Sequence, residues 1–287
     1  MHNLHPSRNT VKKTVSYFSS LRKGLSVLKC FSPQQMELSG AEIARIVGMH
    51  RTSAYRILSV LEDQGLVERV GKRGKYTVGP SLYALGSIYL DATELTKAAA
   101  PVLSKLNELT TEVVTMSIRD NRNIVLIAKE ESRHLVRFPH HIGAIFPACA
   151  TPTGRALLSD LTEEEIDRLF PEEELEVLPS RIVLTRTQLK RELAITRETG
   201  VSVVRVGPIA GLGGIAALVR NCSGTGVAAI SFGIPTSAMV SSRCKEMSDL
   251  IRLGASLISY RLGFQNGHDR VRDLRELISW WERCKRE

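Results

Sequence analysis

The stretch that decides the fold runs Leu38-Ser39-Gly40-Ala41-Glu42-Ile43-Ala44-Arg45-Ile46-Val47-Gly48-Met49-His50-Arg51-Thr52-Ser53-Ala54-Tyr55-Arg56-Ile57-Leu58. Ser39 followed three residues later by Glu42 is a capping box: the hydroxyl accepts the Glu42 N–H and the carboxylate reaches back. It predicts a short helix with Ile43, Ala44 and Val47 inward, stopped at Gly48, which turns left-handed without a Cβ penalty. A second helix starts at Arg51, with Ala54, Ile57, Leu58 and Leu61 inward and Gly65 at its end. Two short helices joined by a tight glycine-containing turn make a helix-turn-helix. Upstream, Leu21, Leu25, Leu28 and Phe31 recur at helical spacing, and Pro33 ends the run. Downstream, Leu66–Val70 and Lys75–Val78 alternate as strands around the basic tip Gly71-Lys72-Arg73-Gly74. The whole is a winged helix-turn-helix.

Its outward positions carry the chemistry of nucleic-acid contact. Arg51, Thr52, Ser53, Tyr55 and Arg56 cluster near the start of the second helix, where a recognition helix meets base edges and phosphates. Arginine can donate two hydrogen bonds to guanine, and Thr or Ser can bond phosphate oxygens or bases. With Ser39 at the first helix and Lys72, Arg73 and Lys75 on the wing, these form the candidate DNA-contacting set. The charge agrees: residues 1–90 hold 13 Lys and Arg against five acids, so nearly all of the chain's +9 lies in its first third. A winged helix used for protein contacts is the competing reading.

The 287 residues, 43% hydrophobic and 24% charged, suit two globular domains and exclude low-complexity or collagen-like classes. Met1–Thr10 has no apolar h-region, and no apolar run approaches a membrane span. Five scattered cysteines (Cys30, Cys149, Cys222, Cys244, Cys284) without a C-x-x-C pair fit a reducing cytoplasm. After Gly79-Pro80 a helical stretch from Ser81 (Leu82, Leu85, Ile88, Tyr89, Leu95) runs toward Pro101. It is too apolar for one small neighbour: a second copy of the chain or the C-terminal domain would cover it.

Beyond Pro101 helices and strands mix without strict alternation, which favours α+β over a doubly wound sheet. Val102, Leu103, Leu106 and Leu109 make a helical face. Val113–Ile118 and Ile124–Ala128 flank the turn Asp120-Asn121-Arg122-Asn123, and Leu135–Phe138 is a third strand. Thr151-Pro152 opens a helix over Thr153–Leu161. Thr162–Glu165 and Thr185–Gln188 are capping boxes, the latter leading through Leu189, Leu193 and Ile195 to a Gly200 stop. Strands follow at Val201–Val206, Gly214–Val219 and Val227–Phe232, then a long helix over Thr236–Leu262. In the tail, Val271, Leu274, Leu277, Ile278 and Trp281 make one apolar face, for its own or a partner subunit.

Over about residues 20–265 the chain resembles the IclR-family transcriptional regulators. The blocks are Leu38–Ala44, Arg51–Leu58, Leu61–Glu68, Tyr76–Pro80, Pro147–Leu158, Leu189–Gly200, Gly211–Ala217 and Ala228–Ser231. The resemblance implies a winged helix-turn-helix, a linker helix and a GAF-like ligand-sensing domain, assembled as a dimer or dimer of dimers on a palindromic operator. The expected division is an arm over 1–19, the DNA-binding domain over 20–80, the linker over 81–97, the effector domain over 98–265 and the tail over 266–287. Relatives that sense small carboxylates place an Asp, a Cys and a Ser-x-Ser where this chain has Val204, Gly214, and Ser231 followed by Gly233. Arg205-Val206-Gly207-Pro208 replaces their acidic run. The expected pocket is therefore roomier and less polar, suited to an aromatic or partly apolar organic acid.

The candidate effector-binding set is Arg137, Pro152, Thr153, Val204, Gly214, Ser231 and Gly233. Ser231 should face the pocket with Ala229 and Gly233 by strand alternation. Pro152 and Thr153 begin a helix whose free N–H groups suit a carboxylate. Arg133, His134, Arg137, His140 and His141 read either as a cationic lip for that carboxylate or as a solvated strand edge. Adjacent His140 and His141 near Cys149 lack further ligands at zinc spacing, so no metal is expected. Gly211-Leu212-Gly213-Gly214 lacks the G-x-x-x-x-G-K-[ST] pattern, so no nucleotide cofactor is expected; the glycines would let backbone approach a ligand or strand closely. No G-x-S-x-G or nucleophile–base order is present. The expectation is a cytoplasmic, ligand-responsive DNA-binding regulator without catalysis; the alternative is a small-molecule enzyme with a regulatory winged helix.

Overall fold

The computed structural model of the chain describes residues 19–32, 35–71, 74–92, 94–132, 141–177, 182–207, 209, 211–265 and 271–286. The chain divides into two compact units, 1–92 and 93–287. Among the described residues no helix is long and apolar enough to cross a membrane.

In the first unit, helix α1 covers 19–28. It is followed by β1 (Leu38–Ser39), α2 (Gly40–Val47), α3 (Arg51–Asp63), β2 (Val67–Val70), β3 (Lys75–Val78) and α4 (Pro80–Ala92). The α2 capping box forms as the sequence predicts, and Gly48 closes the helix at φ +69°. The core is Val27, Leu38, Ile43, Leu58, Leu61, Val67 and Tyr76. Leu21 and Leu25 of the expected apolar stripe are exposed. The buried face of α1 is instead centred on Val27, with Leu28 and Phe31 at its edge. Strand β1 was not legible in the sequence: two residues pair with β3 through Leu38↔Tyr76 and Ser39↔Lys75. The wing is thereby a three-stranded sheet, β1-β3-β2. On α4, Tyr83, Leu85 and Ile88 are exposed.

The second unit begins with α5 (Glu94–Thr110), which runs straight through Pro101 rather than ending there. A proline inside a helix forfeits one hydrogen bond to the carbonyl four residues back. The burial of Leu95, Ala99, Val102, Leu103 and Leu106 along one face holds the helix across that gap. Then come β4 (Val113–Asp120), β5 (Asn123–Glu130), β6 (Ile145–Pro147), α6 (Pro152–Leu158), α7 (Glu163–Leu169), β7 (Glu174–Val177), β8 (Ile182–Thr185) and α8 (Arg186–Thr199). The unit ends with β9 (Val201–Val204), β10 (Leu212–Arg220), β11 (Gly226–Pro235), α9 (Ser241–Arg261) and α10 (Leu274–Cys284). Six strands form an antiparallel sheet in the order β6-β5-β4-β11-β10-β9. Alternation along β11 sends Ile230 toward α5 and α9, where it meets Leu106 at the Gly254 crossing. Ala229 and Ala216 face the other way, into a core with Ala156, Leu157, Leu158, Leu189 and Leu193.

Both remaining capping boxes, Thr162–Glu165 and Thr185–Gln188, are formed, and Gly200 stops α8 at φ +75°. Several boundaries differ from the sequence reading. Ile195 is exposed and Thr196 takes the buried position, because the inward face of α8 follows Leu189 and Leu193 by threes and fours. The helix expected to reach Leu161 ends at Leu158. Strand β9 ends at Val204, leaving Val206 exposed. The final long helix starts only at Ser241, after a 3-10 turn at Thr236–Ala238. The expected third strand, Leu135–Phe138, lies outside the described residues. Strands β6, β7 and β8 were not read from the sequence. The tail helix α10 docks on its own chain: Leu277 and Trp281 are buried where it packs on α9 and α5. Lys285 also reaches Glu246 of α9 at 2.8 Å.

Candidate DNA-contact face and effector cavity

The geometry of the first site starts from how α2 and α3 cross. Gly40 lies under the Tyr55 ring, where a Cβ would come within 2.6 Å of Tyr55 Cε1. Tyr55 is thus half packed on α2 and half exposed. Ala54, Leu58 and Leu61 are buried on the opposite side of α3, so Arg51, Thr52, Ser53 and Arg56 project into solvent. No acid occupies the first turn of α3. Among the described residues no carboxylate lies within ion-pair reach of Arg51 or Arg56, which leaves both charges open to an external anion.

The other predicted contacts are less free. The Ser39 hydroxyl donates to Glu42 Oε2 at 2.7 Å and accepts the Glu42 N–H at 3.3 Å. Those bonds hold the Glu42 carboxyl below the usual carboxylate range. Thr52 Oγ1 is 3.2 Å from His50 Nδ1. Lys75 stands 3.7 Å from Glu37, a loose and exposed pair. Arg69, which the sequence reading passed over, bonds Glu62 at 3.1 Å and stacks on Tyr76, bracing the wing against α3. Lys72 and Arg73 lie outside the described residues.

In the second unit a cavity opens between the sheet and the start of α6, with about 570 Å³ of space not filled by atoms, the solvent at its open side included. Pro152, Thr153, Val204, Gly214, Ser231 and Gly233 all line it. Arg137, together with Arg133, His134 and His140, lies outside the described residues. Sheet register explains the convergence. Gly214 sits between Val204 and Gly233 in one cross-strand row, and Ser231 sits between Ala216 and Thr115 in the next. Thr115 Oγ1 and Ser231 Oγ are hydrogen-bonded at 2.8 Å. Thr115, Ser117, Ile124, Leu126 and Phe146 also line the cavity and were missed. Their signal was present as two hydroxyls at alternate positions of the apolar run Val113–Ile118.

Two details of the expected pocket are corrected. Gly214 does not leave open space, because a Cβ there would lie 2.8 Å from Pro152 Cγ and 2.9 Å from the Phe232 carbonyl oxygen. The glycine seats the Pro152 ring on the sheet. Nor does the helix offer several N–H groups: Pro152 has none, and the Gly154 N–H donates to Thr151 Oγ1 at 3.0 Å. Thr153 supplies the N–H left in that turn. The turn itself is tied down from behind, where Arg155 Nε donates to the Cys149 carbonyl at 2.8 Å. Burial pushes the Cys149 thiol up. Gly213 likewise permits close backbone approach, since a Cβ would meet Met239 Sδ at 2.2 Å and the Val204 carbonyl oxygen at 2.7 Å. Among the described residues no group of three or more His, Cys, Asp or Glu converges to hold a metal ion.

Residues 20–71 match the IclR helix-turn-helix domain, and residues 87–260 match the bacterial transcriptional regulator IclR C-terminal domain. The chain belongs to the IclR family of transcriptional regulators. It is 27% identical over 246 residues to the transcriptional repressor IclR of Escherichia coli K12, covering 85% of this chain and 90% of that one. A solved regulator from Rhodococcus sp. RHA1 superposes with a TM-score of 0.71 at 29% identity, over 85% of this chain and 98% of the other. An IclR homologue of Microbacterium hydrocarbonoxydans, solved with 4-hydroxybenzoate, shares the fold. Its TM-score is 0.72 at 22% identity, over 85% of this chain and 98% of that one. An IclR-type winged helix and effector domain make this chain a DNA-binding regulator, in a family of regulators rather than enzymes.

Proposed function

We propose that the chain is a cytoplasmic, effector-responsive regulator that binds a palindromic operator as a dimer or dimer of dimers. Helix α3 enters the major groove with Arg51 and Arg56 toward the base edges, Thr52 and Ser53 toward phosphate, and Tyr55 at the rim. Lys72, Arg73 and Lys75 of the wing lie against the backbone. The exposed Tyr83, Leu85 and Ile88 of α4 support pairing with a second copy, which would cover them. The domain division we adopt is the one expected from the sequence, its linker over 81–97 being α4 and the first turn of α5.

The effector we propose is an organic acid with an aromatic or partly apolar body. The observation that carries this is the lining of the cavity: Val204, Ile124, Leu126, Leu212 and Phe146 surround the hydroxyls of Thr115, Ser117, Thr153 and Ser231. An apolar body covers the former without stranding polar atoms, while the carboxylate takes the Thr153 N–H and the hydroxyls. Arg137 belongs to this proposal as a cationic partner. The 4-hydroxybenzoate held by the Microbacterium homologue is an acid of this class. To act as a signal the acid must bind the DNA-competent and DNA-incompetent arrangements with different affinity. Electrophoretic shift on the gene's own upstream DNA tests the reading, with a panel of aromatic acids and of two- and three-carbon acids. We expect a shift that an aromatic acid changes. No shift overturns the DNA assignment, and a response confined to two- or three-carbon acids overturns the effector class.

A further inference from the structure

A second cleft lies at the far end of β10 from the effector cavity. There the last turn of α8, the end of β10 and the middle of α9 frame an open cleft with about 240 Å³ of room. Three arginines from three elements line it: Arg197, Arg220 and Arg252. We propose that this cleft is a second binding site, for a small organic polyanion such as a phosphate monoester or a di- or tricarboxylate.

The sequence builds the cluster deliberately. Arg197 stands at the C-terminal end of α8, where the helix dipole favours a cation. Its Nε and Nη2 donate to the Ser159 and Leu161 carbonyl oxygens, both at 2.8 Å, so among the described residues its charge meets neutral acceptors. The β10–β11 pairing shifts register between Val219 and Arg220, a bulge that re-aims a side chain. Arg220 Nη1 thereby reaches Asp160 Oδ1 at 2.5 Å and the Gly224 carbonyl at 2.6 Å. The Arg252 stem lies over Gly200, where a Cβ would be 3.2 Å from its Cδ, and its Nη2 meets Asp249 at 3.1 Å.

Of these three guanidinium groups, that of Arg197 has no carboxylate partner among the described residues. Asp160 is already shared with the Gly226 N–H, to which its Oδ2 is 2.8 Å distant. Arg197 Nη1 and Arg220 Nε and Nη2 keep donors without a partner among the described residues. The neighbouring hydroxyls of Ser159, Thr196 and Ser259 spend their protons on backbone carbonyls. Recognition therefore rests on the guanidinium forks, which match carboxylate and phosphate geometry. The floor, Leu218, Ala255 and Phe264, is apolar, and the space exceeds that of an inorganic ion; both favour an anion with a carbon body.

Calorimetry on the full chain without DNA tests this, with glycerol 3-phosphate, citrate and inorganic phosphate at fixed ionic strength. One of the two organic anions should bind one per chain and more tightly than inorganic phosphate. The glycerol phosphate and citrate arms separate the phosphate from the carboxylate class. Arg252→Gln should weaken that binding about tenfold, and so should Arg197→Gln. Arg197 also ties the Ser159–Leu161 segment, so Arg252→Gln, whose side chain is half-exposed, decides the matter if Arg197→Gln fails to fold. Arg51→Ala and Thr115→Val should leave the affinity unchanged. Absence of binding, binding no tighter than that of inorganic phosphate, or a loss caused by Arg51→Ala or Thr115→Val instead overturns the proposal.

Discussion

The two halves of this chain present their binding groups in opposite ways. In the first unit Arg51, Thr52, Ser53 and Arg56 stand exposed on α3, and each is placed by its distance from Ala54, Leu58 and Leu61 on the same helix. In the second unit Thr115, Thr153, Val204 and Ser231 are buried, and they come from β4, α6, β9 and β11. A helix face needs only local periodicity to aim its side chains, whereas a cavity wall exists only after distant strands have found their register. Damage to the first unit should therefore be separable residue by residue into folding and binding. Damage to the second should affect fold and ligand together.

Breaking that comparison at the core gives the largest effect. Leu58 is fully buried among Val27, Ile43, Leu61 and Tyr76. Leu58→Ala should cost the first unit about 2–5 kcal/mol and abolish DNA binding. Because the chain divides into two compact units, the unfolding transition of the second should stay in place. Differential scanning calorimetry that shows both transitions falling together would contradict the separation.

Next in size is Gly214→Leu. The added side chain must displace the Pro152 ring or the Phe232 carbonyl, so we expect about 1–3 kcal/mol of destabilisation from overpacking. The effector response should be lost as the α6 turn moves, with operator affinity retained. Retained ligand binding in calorimetry would show that Pro152 yields without disturbing Thr153. This residue also marks the limit of what the sequence discloses. Capping boxes and stops at Ser39, Thr162, Thr185, Gly48 and Gly200 are local signals, and they stand where they were expected. Strands β1 and β6 are two and three residues long and exist only through pairing with β3 and β5. Thr115 and Ser117 were missed for the same reason: their place in the cavity depends on pairing with β11, more than a hundred residues away. Gly214 was legible as a position where backbone comes close, but not as the seat of a proline ring from another element.

Sharper, and comparable in size, is the separation on α3. Arg51→Ala or Arg56→Ala should each weaken operator binding by about 1–3 kcal/mol if the side chain reads a base. Thermal stability should scarcely change, since among the described residues neither arginine has an ion-pair partner to lose. Replacing both Lys72 and Arg73 with Ala should instead weaken binding to all sequences alike and flatten its salt dependence by up to about 2 in slope. Titrations against operator and unrelated DNA at several salt concentrations separate the two roles. Unchanged operator affinity in both α3 variants would remove this helix from the interface.

The smallest effect lies at Ser39, where folding and DNA contact compete for one hydroxyl. That hydroxyl donates to Glu42 Oε2 and accepts the Glu42 N–H, while Glu42 also accepts the Ser39 N–H at 2.8 Å. Ser39→Ala removes the cap and should cost about 1 kcal/mol, within a range of about 0.5–2. The same bonds depress the Glu42 pKa in the folded chain. A depressed carboxyl contributes stability that is present above its unfolded value, about 4.3, and lost as pH falls through the folded value. The stability gap between Ser39→Ala and the natural chain should therefore be full near neutral pH and narrow below about pH 4. Urea unfolding across that range checks the sign. Because the hydroxyl is occupied in the unbound chain, operator affinity should be unchanged wherever the variant remains folded. If affinity falls at neutral pH while the variant is fully folded, Ser39 trades its Glu42 bond for a phosphate on binding. The capping box would then be part of the DNA interface rather than only its support.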